Sequence, residues 1–250
     1  MTRLRAAGCV FAEEEGALLS AAGDPSLVDR RCAGEPLEHL LGWVAFAGLR
    51  LAVGPGVFVP RRRTELMARE AVALRPTLLV ELCCGVAPVA AAVEAALPEV
   101  VTWVSDVDPV AVSFATKNTR GTAVVGDLDA ALPASLLGRV DVIACNAPYV
   151  PTGELTHLPP EARDHEPHVA LDGGADGLSL VRRAADRAGR WLRPGGALLV
   201  EVSEHQVPAA VAAFQAAGLD PRVATEEAGT VVIGVSTAEI AAPAREVGHS

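Results

Sequence analysis

A chain of 250 residues, half of them hydrophobic and 21% charged, can bury one sizeable core, which excludes a stapled minidomain and whole-length disorder. Its net charge of -10 makes a poor surface for phosphate backbones, and apolar runs such as ALLVEV fall far short of the ~20 residues of a membrane span. Five scattered cysteines without CxxC spacing, and only His165 and His168 close together among the histidines, leave neither a disulfide framework nor a metal-ligand set, so a soluble cytoplasmic protein with no metal and no membrane partner is expected.

Near the start, RLRAAGCVFAEEEG sets three glutamates where a signal-peptide core would lie. AEEEGALLSAAG and PSLVDRRCAGEPLEHLLG then carry apolar residues at helical spacings, with Asp24 and Pro25 as cap and first turn, so residues 1–42 are predicted to form a small helical region. WVAFAGLRLAVGPGVFVP follows, with β-favouring runs around Gly48 and Gly54-Pro55-Gly56; residues 43–74 are read as a hairpin and connecting segment. From Leu78 short apolar runs alternate with helical stretches: LLVEL, VAPVAAAVEAAL, VVTWVS, DPVAVSFATKN, TAVVG, VDVIAC, DGLSLVRRAADRAGRWL, GALLVEV and VPAAVAAFQAAG. Strands apolar on both faces and separated by helices make a doubly wound α/β sheet, assigned to residues 75–236 with a tail at 237–250. Ligands collect at the carboxyl ends of such strands, near the point where strand order reverses.

The first of these ends is ELCCGVAP. Gly85 suits close approach of backbone to a ligand and Pro88 a first helical turn, but Cys83 and Ala87 stand where a glycine-rich loop would carry glycine. The second strand ends in SDVDP, where Asp106, 25 residues beyond Glu81, is placed to accept hydrogen bonds from a ribose; Asp108 before Pro109 reads as a helix cap. The third ends in VVGDLD, where Asp127 is placed to accept from an adenine amino group and Leu128 to pack on the ring.

The fourth, VIACNAPYVP, ends in Asn146, Ala147, Pro148 and Tyr149. An amide or exocyclic amine shares its lone pair with a π system, so it attacks an electrophile only when held in place with its hydrogens drawn aside. The Asn146 side-chain oxygen and the Ala147 carbonyl, fixed by the proline that follows, supply two acceptors for that purpose, and Tyr149 walls the planar group in. Catalysis is then positioning beside a sulfonium methyl, with little need of a strong base.

These residues resemble the protein-glutamine N5-methyltransferases that modify peptide-release factors, and more narrowly a related bacterial group of unassigned substrate. The similarity covers roughly residues 3 to 235 and rests on GEPLEHLLGWVAFAGLRLAVGPGVFVPRRRTE, the Glu81 to Ala87 loop, SDVDP, NAPYVP and EPHVALDGGADGL. It implies a helical amino-terminal region that docks the substrate, a hairpin, and a seven-stranded, Rossmann-like S-adenosylmethionine-dependent methyltransferase fold. In that family an Asn-Pro-Pro-Tyr motif grips the acceptor amide, so the resemblance assigns this work to Asn146 and the Ala147 carbonyl, with Pro148 and Tyr149 shaping the pocket. Cofactor contacts fall to Glu81, Cys83, Cys84, Gly85, Val86, Ala87, Asp106, Asp127, Leu128 and Asn146, and the pocket border to Pro60, Arg61, Thr64 and Glu65. The expected reaction is methylation of a glutamine side-chain amide on a protein, with a release factor as one candidate. Methylation of an exocyclic base nitrogen in RNA or DNA, and a non-catalytic cofactor-binding relative, stand as alternatives. Three departures are noted: Ala147 replaces a proline, Cys83 and Ala87 replace glycines, and the amino-terminal region is shorter.

Overall fold

Four short helices, α1 (Thr2–Ala6), α2 (Ala12–Ala21), α3 (Ser26–Cys32) and α4 (Leu37–Leu41), open the structure, a computed structural model that describes residues 2–227 and 229–237. Helices this short do not hold in isolation. They bury Leu4, Ala12, Leu19 and Leu27 against one another; α3 has Pro25 at its N-cap, and Asp24 Oδ1 just before it accepts from Ser26 N at 2.9 Å. The predicted hairpin is β1 (Trp43–Phe46) and β2 (Leu49–Ala52), turned at Ala47-Gly48 with φ of 48° and 78°, the double left-handed geometry that suits strand twist. A 3-10 turn at Arg62–Thr64 leads into α5 (Glu65–Ala73).

The alternating runs become β3 (Leu78–Leu82), α6 (Pro88–Ala96), β4 (Val101–Asp106), α7 (Pro109–Asn118), β5 (Thr122–Val125) and β6 (Val140–Cys145). After β6 come α8 (Pro160–His165), α9 (Ser179–Trp191), β7 (Leu192–Val202), α10 (Val207–Ala216), β8 (Leu219–Glu226) and β9 (Gly229–Ser236). Strand order is β5-β4-β3-β6-β7-β9-β8, parallel from β5 to β7, with β9 antiparallel to both its neighbours. Every residue of β6 is buried, as a strand covered on both faces requires. Leu79, Val104 and Val142 face the layer of α5 and α6, whereas Val80, Ile143 and Leu198 face α9 and α10.

β7 begins at Leu192, ahead of the apolar GALLVEV run, and its register with β6 shifts between Val140 and Val142. The closing β8–β9 hairpin falls outside the strand–helix alternation. Beyond Thr237, the tail expected at 237–250 lies outside the described residues. Among the described residues no helix is long and apolar enough to cross a membrane. The chain leaves β3 for β4 and β5, then returns to β6 on the other side, so the strand order reverses between β3 and β6 and a cleft opens at their carboxyl ends.

Candidate active site

The loop from β3 to α6 is contorted by three left-handed residues, Cys83 (φ 50°), Gly85 (φ 53°) and Ala87 (φ 61°). Two of these are the positions where the sequence lacks glycine, so side chains tolerate there a backbone that disfavours them by ~1–2 kcal/mol each. The path is pinned from several directions. Glu81, buried and expected to contact a cofactor, borders the cavity and turns its carboxyl group onto the amino terminus of α6, accepting from Val89 N at 3.2 Å and Ala90 N at 2.7 Å. Burial pushes its pKa up to about 8, against the opposing pull of these two amides. Asn118, at the end of α7, donates to Val86 O (2.9 Å) and exchanges hydrogen bonds with both backbone groups of Ala52, tying the loop to the hairpin. The Cys83 thiol is held well above its ordinary range by a hydrogen bond with Cys145 and by burial, and that of Cys84 by burial, so neither is a reactive thiolate.

At the next strand end, Asp106 Oδ2 accepts from Gly85 N (2.8 Å) and Oδ1 from Asp108 N (2.9 Å), while burial raises its pKa. Each oxygen keeps a further lone pair. Asp108 caps α7 through Val110 N at 2.8 Å. Leu128 is buried with φ 54°. Asp127, expected to meet an adenine, has its Oδ2 held by Arg183 Nη2 at 2.6 Å.

After β6, Asn146 Nδ2 donates to Thr64 Oγ1 at 3.2 Å, which fixes the amide end of the carboxamide and leaves Oδ1 without a hydrogen-bond partner among the described residues. The Ala147 carbonyl is likewise unclaimed there. Tyr149 donates from Oη to Glu201 Oε1 at 3.3 Å; burial first, and then the Glu201 charge, raises its pKa to about 12. Its carbonyl accepts from Gln206 Nε2 at 2.9 Å. Close packing holds the loop from behind: a Cβ on Gly173 would stand 2.7 Å from Pro148 O, and one on Gly177 would collide with Tyr149 O. The DGGADGL stretch thus works as a seam against the acceptor loop, a role its sequence did not disclose.

A cavity of about 590 Å³ joins these strand ends. It is lined by residues 83–86, Asp106, Asp127, Leu128 and the 146–149 loop, with Pro60 and Arg61 at its border, and is covered by the segment that carries α8. Thr64 and Ala87 support this lining from just outside it. Glu65 does not border it: its Oε1 accepts from Ala47 N (3.0 Å) at the hairpin turn, because α5 carries that side chain to the other side of the segment. Sequence reasoning missed Arg63, Glu166 and Glu201. Arg61 pairs with buried Glu166 (2.6 Å), which also accepts from Val59 N (3.2 Å), and Arg63 pairs with buried Glu201 (2.8 Å). Glu201, a single glutamate at the end of an apolar run, carries no motif, and Glu166 lay in the EPHVALDGGADGL stretch without a role of its own; the PRRRTE arginines were the available signal.

No family model matches the chain. It is 38% identical over 212 residues to the release factor glutamine methyltransferase of Streptomyces coelicolor, covering 81% of this chain and 72% of that protein. It is 36% identical over 203 residues to the 4-amino-L-phenylalanine/4-methylamino-L-phenylalanine methyltransferase of Streptomyces pristinaespiralis, covering 76% and 69%. Among solved structures, the hMettl16 catalytic domain in complex with the MAT2A 3'UTR hairpin 6 matches with a TM-score of 0.59 and 12% identity over 86% of this chain and 83% of that one, a likeness of fold.

Proposed function

This chain belongs to the family of release factor glutamine methyltransferases, and we propose that it methylates the side-chain amide nitrogen (N5) of a glutamine on a protein, a release factor first among the candidates. The observation that carries this reading is the Asn146 carboxamide, whose donor end is taken by Thr64 while its acceptor end is unclaimed beside the unclaimed Ala147 carbonyl. Two acceptors at one end of a cavity suit a nitrogen that brings two hydrogens.

The other end fits S-adenosylmethionine. Asp106 keeps lone pairs for the ribose hydroxyls, Leu128 and Pro88 offer apolar surface for the adenine, and the left-handed loop lets the 83–86 backbone come close. When bound, S-adenosylmethionine supplies an electrophilic sulfonium methyl. Asn146 and the Ala147 carbonyl hold the acceptor nitrogen and draw its hydrogens aside, freeing the lone pair that would form the new N–C bond as the S–CH3 bond breaks and its electron pair stays on sulfur, which leaves as the neutral thioether. Tyr149 keeps its own proton at neutral pH and acts as a wall, not a base; the proton that leaves the nitrogen passes to water.

A second reading follows from the 4-amino-L-phenylalanine methyltransferase likeness: an arylamine nitrogen is also conjugated and would suit the same two acceptors. Incubation with labelled S-adenosylmethionine, a release factor and 4-amino-L-phenylalanine separates the two. Label on a glutamine of the protein supports the proposal, and label on the free amino acid alone overturns it.

A further inference from the structure

Glu201 is one of the most deeply buried side chains, 1% exposed near the carboxyl end of β7. Its Oε1 accepts from both Arg63 Nε (2.8 Å) and Tyr149 Oη (3.3 Å), whereas Oε2 is sealed with no hydrogen-bond partner among the described residues. An unpaired buried carboxylate oxygen is costly, and an apolar side chain of similar volume would serve stability better. The two donors explain the carboxylate, because they come from two segments, distant in the chain, that both line the cavity. Arg63 precedes Thr64 in the 62–64 turn, Tyr149 lies three residues beyond Asn146, and the Arg63 guanidinium sits 5.2 Å over the Tyr149 ring. On the same segment Arg61 grips Glu166, whose Oε2 is also unpaired, while Arg62 between them is exposed.

We propose that Glu201 is a positioning residue for methyl transfer: from behind the cavity it locks the 62–64 turn to the 146–149 loop, so that Thr64 meets Asn146 and the carboxamide oxygen stays aimed at the acceptor nitrogen. The role rests on the acceptor-site reading of Asn146, but the contact itself does not. A misplacement of this kind lowers turnover without touching the cofactor end of the cavity.

Tyr149 is the only tyrosine in the chain, so ultraviolet titration of the phenol reports this position alone. The wild-type phenol is expected to stay protonated through pH 11, in keeping with a pKa of about 12. Glu201→Gln keeps the side chain's size and an acceptor but removes the charge. Its phenol midpoint should fall measurably, its affinity for S-adenosylmethionine by calorimetry should stay within about threefold, and kcat should drop by ~10- to 100-fold. Tyr149→Phe should show a comparable loss of kcat, and the double variant should be no worse than the more impaired single variant. An unmoved phenol midpoint overturns the contact. A lowered midpoint with unchanged kcat overturns the positioning role, as does a parallel loss of cofactor affinity, which would mark a general structural part. If Glu201→Gln does not fold, Tyr149→Phe decides alone, with unchanged kcat overturning the role. Wild-type silence on every offered acceptor overturns the functional reading and the transfer role with it, while the phenol midpoint still decides whether Glu201 holds Tyr149.

Discussion

At Asn146 the carboxamide has a donor end and an acceptor end, and the Thr64 hydroxyl takes the donor. Thr64→Val should therefore lower kcat by ~10-fold while calorimetry shows unchanged cofactor affinity, since only the aim of the amide is lost. Asn146→Ala should reduce methyl transfer by ~100-fold or more with cofactor binding within a few-fold; collapse of cofactor affinity in that variant would move Asn146 to the other end of the cavity. At Ala87 the strain of a left-handed alanine is open to relief. Ala87→Gly should gain about 1 kcal/mol and raise the thermal midpoint by about 2–4 °C, read by calorimetry. The glycine-deficient loop and the Asn146 turn were legible because each follows an apolar strand within a few residues. The Thr64–Asn146 contact was not, for it joins positions 82 apart in the chain, and no local pattern records such a meeting.

Among the elements, the β3–α6 junction sets a pH dependence. Glu81 caps α6 from a buried position with a pKa of about 8, against 4.5 for the free group. The folded state therefore binds this proton more tightly than the unfolded state, so the Glu81 contribution falls as pH rises from about 4.5 to about 8 and is level above. The carboxylates of Asp129, Asp141 and Asp176 are shifted the other way, and their contribution is lost only as pH falls below about 3.8, outside this window. Urea denaturation at about pH 5.5 and pH 8 should show the wild type losing stability across the interval and Glu81→Gln losing less; equal slopes would remove Glu81 as the cause. Strand and helix order was readable from the alternation of apolar runs. The β8–β9 hairpin was not, because antiparallel strands at a sheet's end lack the intervening helix that marks the others.

For the whole molecule, Arg31 is the bolt between the amino-terminal helices and the cover of the cavity. It is buried, pairs with Glu15 on α2 at 2.7 Å, and reaches Glu161 on α8 at 2.7 Å. Arg31→Met should strand the buried Glu15 carboxylate and cost about 3–5 kcal/mol, with hydrogen exchange rising first across residues 2–41 and at α8. Protection unchanged at α8 would show that the helices do not brace the cover. The sequence disclosed a helical region before the sheet but not this coupling, since EEE and DRR read equally well as solvated faces. Because Gly173 and Gly177 nest against the carbonyls of Pro148 and Tyr149, chimaeras between relatives have a forbidden splice zone. A single crossover between 150 and 172 mates one parent's loop with the other's glycines, whereas a double crossover carrying 151–170 exchanges the cover and leaves the glycine seam undisturbed, provided the incoming segment keeps Glu161 for Arg31 and Glu166 for Arg61.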